Sequence, residues 1–109
     1  MAAFSDVDTI AAVATPPGPG ALAVVRVSGP EARAILGMLA PGLRELPGPR
    51  KATVARLHDP VDGSVLDQAV VVRYEAGASP TGEDLVELSC HGGRLVSALV
   101  LQACVDAGC

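Results

Sequence analysis

The sequence predicts an α+β fold, a single domain with a mixed β-sheet of about five strands and two or three helices. Three observations predict it. Five short runs rich in Val, Ala and Leu read as strands, and two segments carry helix signals. Their order is mixed, β-β-α-β-β-β-α.

Each element can be justified in turn. "DTIAAVAT" (Asp8 to Thr15) is a short apolar run stopped by Pro16 and Pro17, the pattern of a buried strand. "ALAVVRVS" (Ala21 to Ser28) is Val-rich and apolar on both faces, with Arg26 as its one charge. In "SGPEARAILGMLA" Ser28 and Glu31 match the S-x-x-E capping box and Pro30 suits a first helical turn, so a helix is expected from near Gly29 to about Ala40. "KATVARLH" and "SVLDQAVVVRYE" flank "DPVDG" and read as a hairpin with a loop of about five residues. The Gly, Ser and Pro of "EAGASPTGED" (Glu75 to Asp84) mark a loop, after which "LVELSC" (Leu85 to Cys90) alternates like a strand. "RLVSALVLQACVDA" closes the chain as a helix of about 21 Å at 1.5 Å per residue, with Gly108 as its C-cap.

Composition bounds the function. A chain of 109 residues fits one domain, able to remove roughly two-thirds of its unfolded surface from water. With one Phe, one Tyr and no Trp the core must be aliphatic. A formal charge of -4 offers no excess of cations to neutralise phosphates, and scarce aromatics offer no stacking platform, so direct nucleic-acid binding is not expected. "MAAFSDVDTI" lacks the basic start of a secretory leader, and no apolar run approaches the ~20 residues that span a bilayer, which points to a cytoplasmic location without membrane attachment.

Glycine and cysteine motifs weaken on inspection. "GPGALA" (Gly18 to Ala23) formally fits G-x-G-x-x-A, but it opens a strand rather than the helix whose N–H groups would meet a pyrophosphate. No Walker-type G-x-x-x-x-G-K-[ST] occurs. Cys90, His91, Cys104 and Cys109 make a poor zinc set, because neighbours on a strand project to opposite faces and no C-x-x-C exists. No metal site is therefore expected, and Cys90 and Cys104 read as small buried hydrophobes. No catalytic residue is assigned.

Charges on strands are more informative. In "LVELSC", Val86, Leu88 and Cys90 form one face and Leu85, Glu87 and Ser89 the other, so Glu87 points away from the apolar face. Arg26 shares a face with Leu22 and Val24, which suggests a guanidinium partly out of water and in need of a partner. An acid, a ligand, or both would serve. An Arg26–Glu87 ion pair and two unrelated surface charges stay open beside a ligand site.

Two segments carry a resemblance. "DTIAAVATPPGPGALAVVRVSGPEA" and "SPTGEDLVELSCHGG" resemble the signature segments of the N-terminal domain of the tRNA modification GTPase family known as MnmE or TrmE. "DGSVLDQAVVV" falls where that family places its hairpin, so the resemblance covers essentially the whole chain. It implies a fold similar to the tetrahydrofolate-binding domain of aminomethyltransferases. It also implies a homodimer, and a bound 5-formyltetrahydrofolate or related tetrahydrofolate as one-carbon donor. Arg26 and Glu87 match the family's folate-contacting arginine and glutamate, while its folate-contacting lysine lies beyond Cys109. The chemistry is reasonable, because a carboxylate can accept the paired N–H groups of a pterin edge much as it accepts a guanidinium.

Residues 1–109 are accordingly expected to be the folate-binding and dimerisation domain of a longer protein, without the helical and GTPase domains. In that longer protein GTP, magnesium and potassium belong to the GTPase domain. A flavoprotein of the MnmG or GidA type and tRNA would be its partners in building a 5-carboxymethylaminomethyl-type wobble uridine. Pro80 departs from the Tyr or Phe usual before T-G-E-D, and Gly20-Ala21 from the usual glycine pair. "TGED" and "HGG" are assigned supporting roles: Gly82, Gly92 and Gly93 for turns, Glu83 and Asp84 for fixing the loop, His91 as a hydrogen-bonded neutral side chain. The alternative is a dimerisation or scaffold module whose folate pocket has been lost.

Overall fold

The computed structural model describes residues 8–14, 22–91 and 93–109. The readings made for the Pro16–Gly20 loop and for Gly92 lie outside them. Five strands, β1 (Ile10–Val13), β2 (Ala23–Ser28), β3 (Thr53–His58), β4 (Val65–Tyr74) and β5 (Leu85–Cys90), alternate with two helices among the described residues, α1 (Ala32–Leu39) and α2 (Gly93–Asp106), in the expected order.

The strands form one sheet in the order β1-β2-β5-β4-β3. Every recorded pairing is antiparallel, where a mixed sheet was expected. Hairpin neighbours must run antiparallel, and β5 enters between β4 and β2 in the direction that opposes both. Period-two alternation then sorts the side chains. Val25, Val27, Ala55, Leu57, Ala69, Val71, Val86, Leu88 and Cys90 face inward and are buried. Both helices pack on that side: α2 covers β1, β2, β4 and β5, while α1 covers β5 and β3 and touches α2. Ile35, Leu36 and Leu39 of α1 and Val100, Ala103 and Cys104 of α2 complete an aliphatic core. The opposite face of the sheet carries no helix among the described residues.

Two local expectations are corrected. β1 is an edge strand rather than a buried one; Ile10 is 59% exposed and only Ala11 packs on the core. An apolar run reports that a strand exists, not how many of its sides are covered. The capping box does not form. Helix α1 starts at Ala32 with Glu31 as a cap that makes no side-chain bond. Ser28 still belongs to β2 and turns its hydroxyl to Thr81 and Glu83, and the Glu31 N–H donates instead to Thr9 Oγ1 at 2.9 Å. The expected β3–β4 hairpin forms, its loop running from Asp59 to Ser64 and closed by the Asp59 N–H to the Ser64 carbonyl at 2.8 Å, with a register shift at Leu57/His58. The terminal helix ends as expected, with Gly108 at φ +132° and the Cys109 N–H donating to the Cys104 carbonyl at 3.1 Å.

Candidate functional site on the open face of the sheet

Register brings the two singled-out charges together. Arg26 on β2 stands directly opposite Glu87 on β5, in the middle of the sheet and on its helix-free face. Arg26 Nε donates to Glu87 Oε2 at 2.7 Å, and Tyr74 Oη donates to Glu87 Oε1 at 3.3 Å. Val72 is the cross-strand neighbour of Glu87 on the other side, so Tyr74, two residues on, lies on the same face. The Glu87 side chain is 17% exposed and that of Arg26 42%, so the acid is sunk in the sheet surface while the guanidinium reaches solvent.

Glu87 is held but not exhausted. Each carboxylate oxygen has one donor, and a carboxylate offers about four acceptor positions. Arg26 uses only Nε, and among the described residues its two Nη groups have no recorded partner. The pair therefore leaves acceptor positions on Glu87 and donors on Arg26 unused within the described residues. Tyr74 feels the same acid: burial, and then the negative charge of Glu87 and the bond to it, push its phenol above the usual tyrosine range, while Arg26 and Arg50 pull in the other direction.

The loop between β4 and β5 walls one end of this surface. Thr81 Oγ1 lies 2.8 Å from Ser28 Oγ, and Ser28 Oγ donates to Glu83 Oε1 at 3.1 Å, which ties the loop to the end of β2. Asp84 Oδ1 accepts the Ala76 N–H at 3.0 Å, and its carbonyl accepts the Gly29 N–H at 2.9 Å. Gly82 at φ +81° makes the turn a side chain would resist. Asp84 thus fixes the loop through a backbone N–H, whereas Glu83 does so through a hydroxyl. Leu85, fully buried, begins β5 directly after this loop and by alternation shares the face of Glu87.

At the far end of β5, the His91 N–H donates to Asp67 Oδ2 at 2.7 Å, and its ring Nδ1 lies 3.0 Å from the Gln68 carbonyl. A carbonyl only accepts, so Nδ1 carries the hydrogen. No group of metal-ligating side chains assembles among the described residues. Cys90 and Cys104 are buried free thiols, and burial pushes both up to about 12, too high for thiolate chemistry near neutrality.

Sequence reasoning paired Arg26 with Glu87 only as one option, and it missed Tyr74. The tyrosine ends the run "VVVRYE", but which strand β4 would join, and in what register, is a long-range property that no local pattern encodes.

This chain matches a family model described as "GTP-binding protein TrmE N-terminus" over residues 9–109. The chain belongs to that family. It is 50% identical over 101 residues to the tRNA modification GTPase MnmE of Stutzerimonas stutzeri (strain A1501), covering 93% of this chain and 21% of that protein. It is 46% identical over 101 residues to the protein of the same name from Akkermansia muciniphila, covering 92% of this chain and 22% of the relative. Identity to that of Thermotoga petrophila is 44% over 101 residues, covering 93% of this chain and 22% of the relative. The chain thus spans about a fifth of the length of these curated relatives.

Proposed function

We propose that this TrmE-type domain binds a tetrahydrofolate one-carbon donor, 5-formyltetrahydrofolate or a close derivative, on the open face of its sheet. Arg26 and Glu87 are its principal contacts. The observation that carries the reading is the spare hydrogen-bonding capacity of a half-sunk Arg26–Glu87 pair. A pterin edge supplies adjacent N–H donors for Glu87, and its carbonyl or formyl oxygens suit the Nη donors of Arg26. The bound folate would supply the one-carbon unit; the residues here bind and orient it.

The same reading makes the domain part of a longer, cytoplasmic tRNA modification GTPase that acts on the wobble uridine together with a flavoprotein partner. GTP, magnesium, potassium and tRNA would be handled by other parts of that protein. It also makes the domain a dimerisation unit, since α2 leaves Leu95, Leu99 and Val105 between 45% and 71% exposed. No helix among the described residues is long and apolar enough to cross a membrane.

Calorimetry with 5-formyltetrahydrofolate tests the site. Glu87→Gln replaces one acceptor oxygen by a donor, which should weaken binding by roughly thirtyfold to several hundredfold, or about 2–4 kcal/mol. A scaffold that has lost its folate pocket would bind no folate before or after the substitution.

A further inference from the structure

Arg50 is an exposed arginine in a backbone conformation that arginine disfavours. Its φ is +62°, the one positive value recorded for a non-glycine residue among the described residues. Such a conformation is disfavoured for a side-chain-bearing residue and persists where the surroundings impose it. Here they do. The Arg50 N–H donates to the Arg73 carbonyl at 2.6 Å, and Arg73 Nε donates to the Pro47 carbonyl at 3.0 Å, so the segment before β3 is clamped onto the end of β4.

That clamp has a positional consequence. In the β3–β4 ladder Thr53 lies opposite Val71 and Val54 opposite Val70. The ladder itself begins at Thr53, and the Arg50 N–H bond to the Arg73 carbonyl sets Arg50 against the residue that precedes Tyr74, the donor to Glu87. Arg50 and Arg26 are also the two cations whose charge opposes the rise of the Tyr74 phenol, which places both within electrostatic reach of one hydroxyl. Their situations differ. Arg26 is engaged by Glu87, whereas no acid pairs with the Arg50 guanidinium among the described residues.

We infer that Arg50 is the anion-binding end of the open-face site and takes the carboxylates of the ligand's tail while Arg26 and Glu87 hold its ring. This rests on the folate reading above. A ligand with a neutral, donor-bearing ring and an anionic tail fits a surface with an acid at its centre and an unpaired guanidinium at its rim. The predicted specificity is for pterins carrying a glutamate tail, rising with the number of glutamates, over pterins that carry none.

Arg50→Gln, Arg50→Lys and the unsubstituted chain are titrated with 5-formyltetrahydrofolate, with its triglutamate and with tail-less 6-methyltetrahydropterin, at low and high salt. Arg50→Gln should weaken the two tailed ligands by about tenfold and remove the advantage of the triglutamate. It should leave the tail-less pterin unchanged. Arg50→Lys should recover part of the loss, and the salt dependence of tailed-ligand binding should flatten in Arg50→Gln. Equal affinity of Arg50→Gln and the parent for the tailed ligands overturns the inference while the Arg26–Glu87 site stands. Equal weakening of tailed and tail-less ligands also overturns it, because Arg50 would then act on the shape of the site. If the unsubstituted chain binds none of the three, the folate reading and the inference fall together.

Discussion

At the residue scale, one carboxylate serves three neighbours. Glu87 accepts from Arg26 and from Tyr74 and, in the proposed complex, from the ligand. With Arg26 42% exposed, water screens the pair, so Arg26→Gln should lower stability by only about 1 kcal/mol in urea titrations, well short of the ~3–5 kcal/mol lost when a fully buried pair is broken. Tyr74 gives an independent readout, because it is the chain's single tyrosine and there is no tryptophan. Its phenol titrates above the ordinary value of 10.0, chiefly through burial and secondly through Glu87. The folded state thus favours the protonated phenol. This contribution to stability is complete below the unfolded value of about 10 and is lost as pH rises through the higher folded value. Absorbance at the phenolate band should therefore show a late titration in the folded chain. In Glu87→Gln the midpoint should move part of the way back, because burial, the larger cause, remains. An unchanged midpoint would mean that Glu87 and Tyr74 do not interact in solution.

At the element scale, Gly29 joins β2 to α1 in a space that admits no side chain. A Cβ there would lie 2.6 Å from Thr9 Cα and 2.7 Å from the Asp8 carbonyl, at φ +141°. Gly29→Ala should cost ~2–4 kcal/mol, because neither backbone contact can swing away and the conformation is itself unfavourable. Gly37 offers the opposite case: it lies within α1, is exposed, and a Cβ there meets nothing within 4 Å. Gly37→Ala should stabilise by roughly 0.5–1 kcal/mol. Urea unfolding of the two variants checks both signs. These glycines also mark what local sequence can reveal. "LVELSC" announced its strand through alternation, "RLVSALVLQACVDA" its helix as a long apolar segment closed by Gly108, and the faces of Glu87 and Arg26 followed from strand alternation. What Ser28 bonds to did not follow, because Thr81 and Glu83 lie more than fifty residues away and outcompete the local capping box. Nor did the edge position of β1, since sheet order is decided by packing over the whole chain.

At the scale of the whole molecule, the two faces of the sheet differ. One is sealed by α1 and α2 over an aliphatic core; the other bears the Arg26–Glu87–Tyr74 cluster. Helix α2 is itself two-sided. Ser97, Val100, Ala103 and Cys104 are buried against the sheet, while Leu95 is 71% exposed, Leu99 45% and Val105 48%. Leu95 and Leu99 are four residues apart and share one stripe, so they present a continuous apolar strip where a solvated helix would be polar. Each leucine removed from water contributes up to ~1.5–3 kcal/mol, and a symmetric contact uses every such residue twice. If this strip is the dimer contact, sedimentation equilibrium at high micromolar concentration should show self-association, and Leu99→Glu should shift the chain to monomer without lowering its urea midpoint. A chain that stays monomeric at that concentration removes this contact. Association that survives Leu99→Glu would move the interface to another surface, such as the exposed β1 edge, with Ile10 at 59% and Val13 at 41%, or the β3–β4 hairpin, with Val54 at 58% and Val65 at 57%.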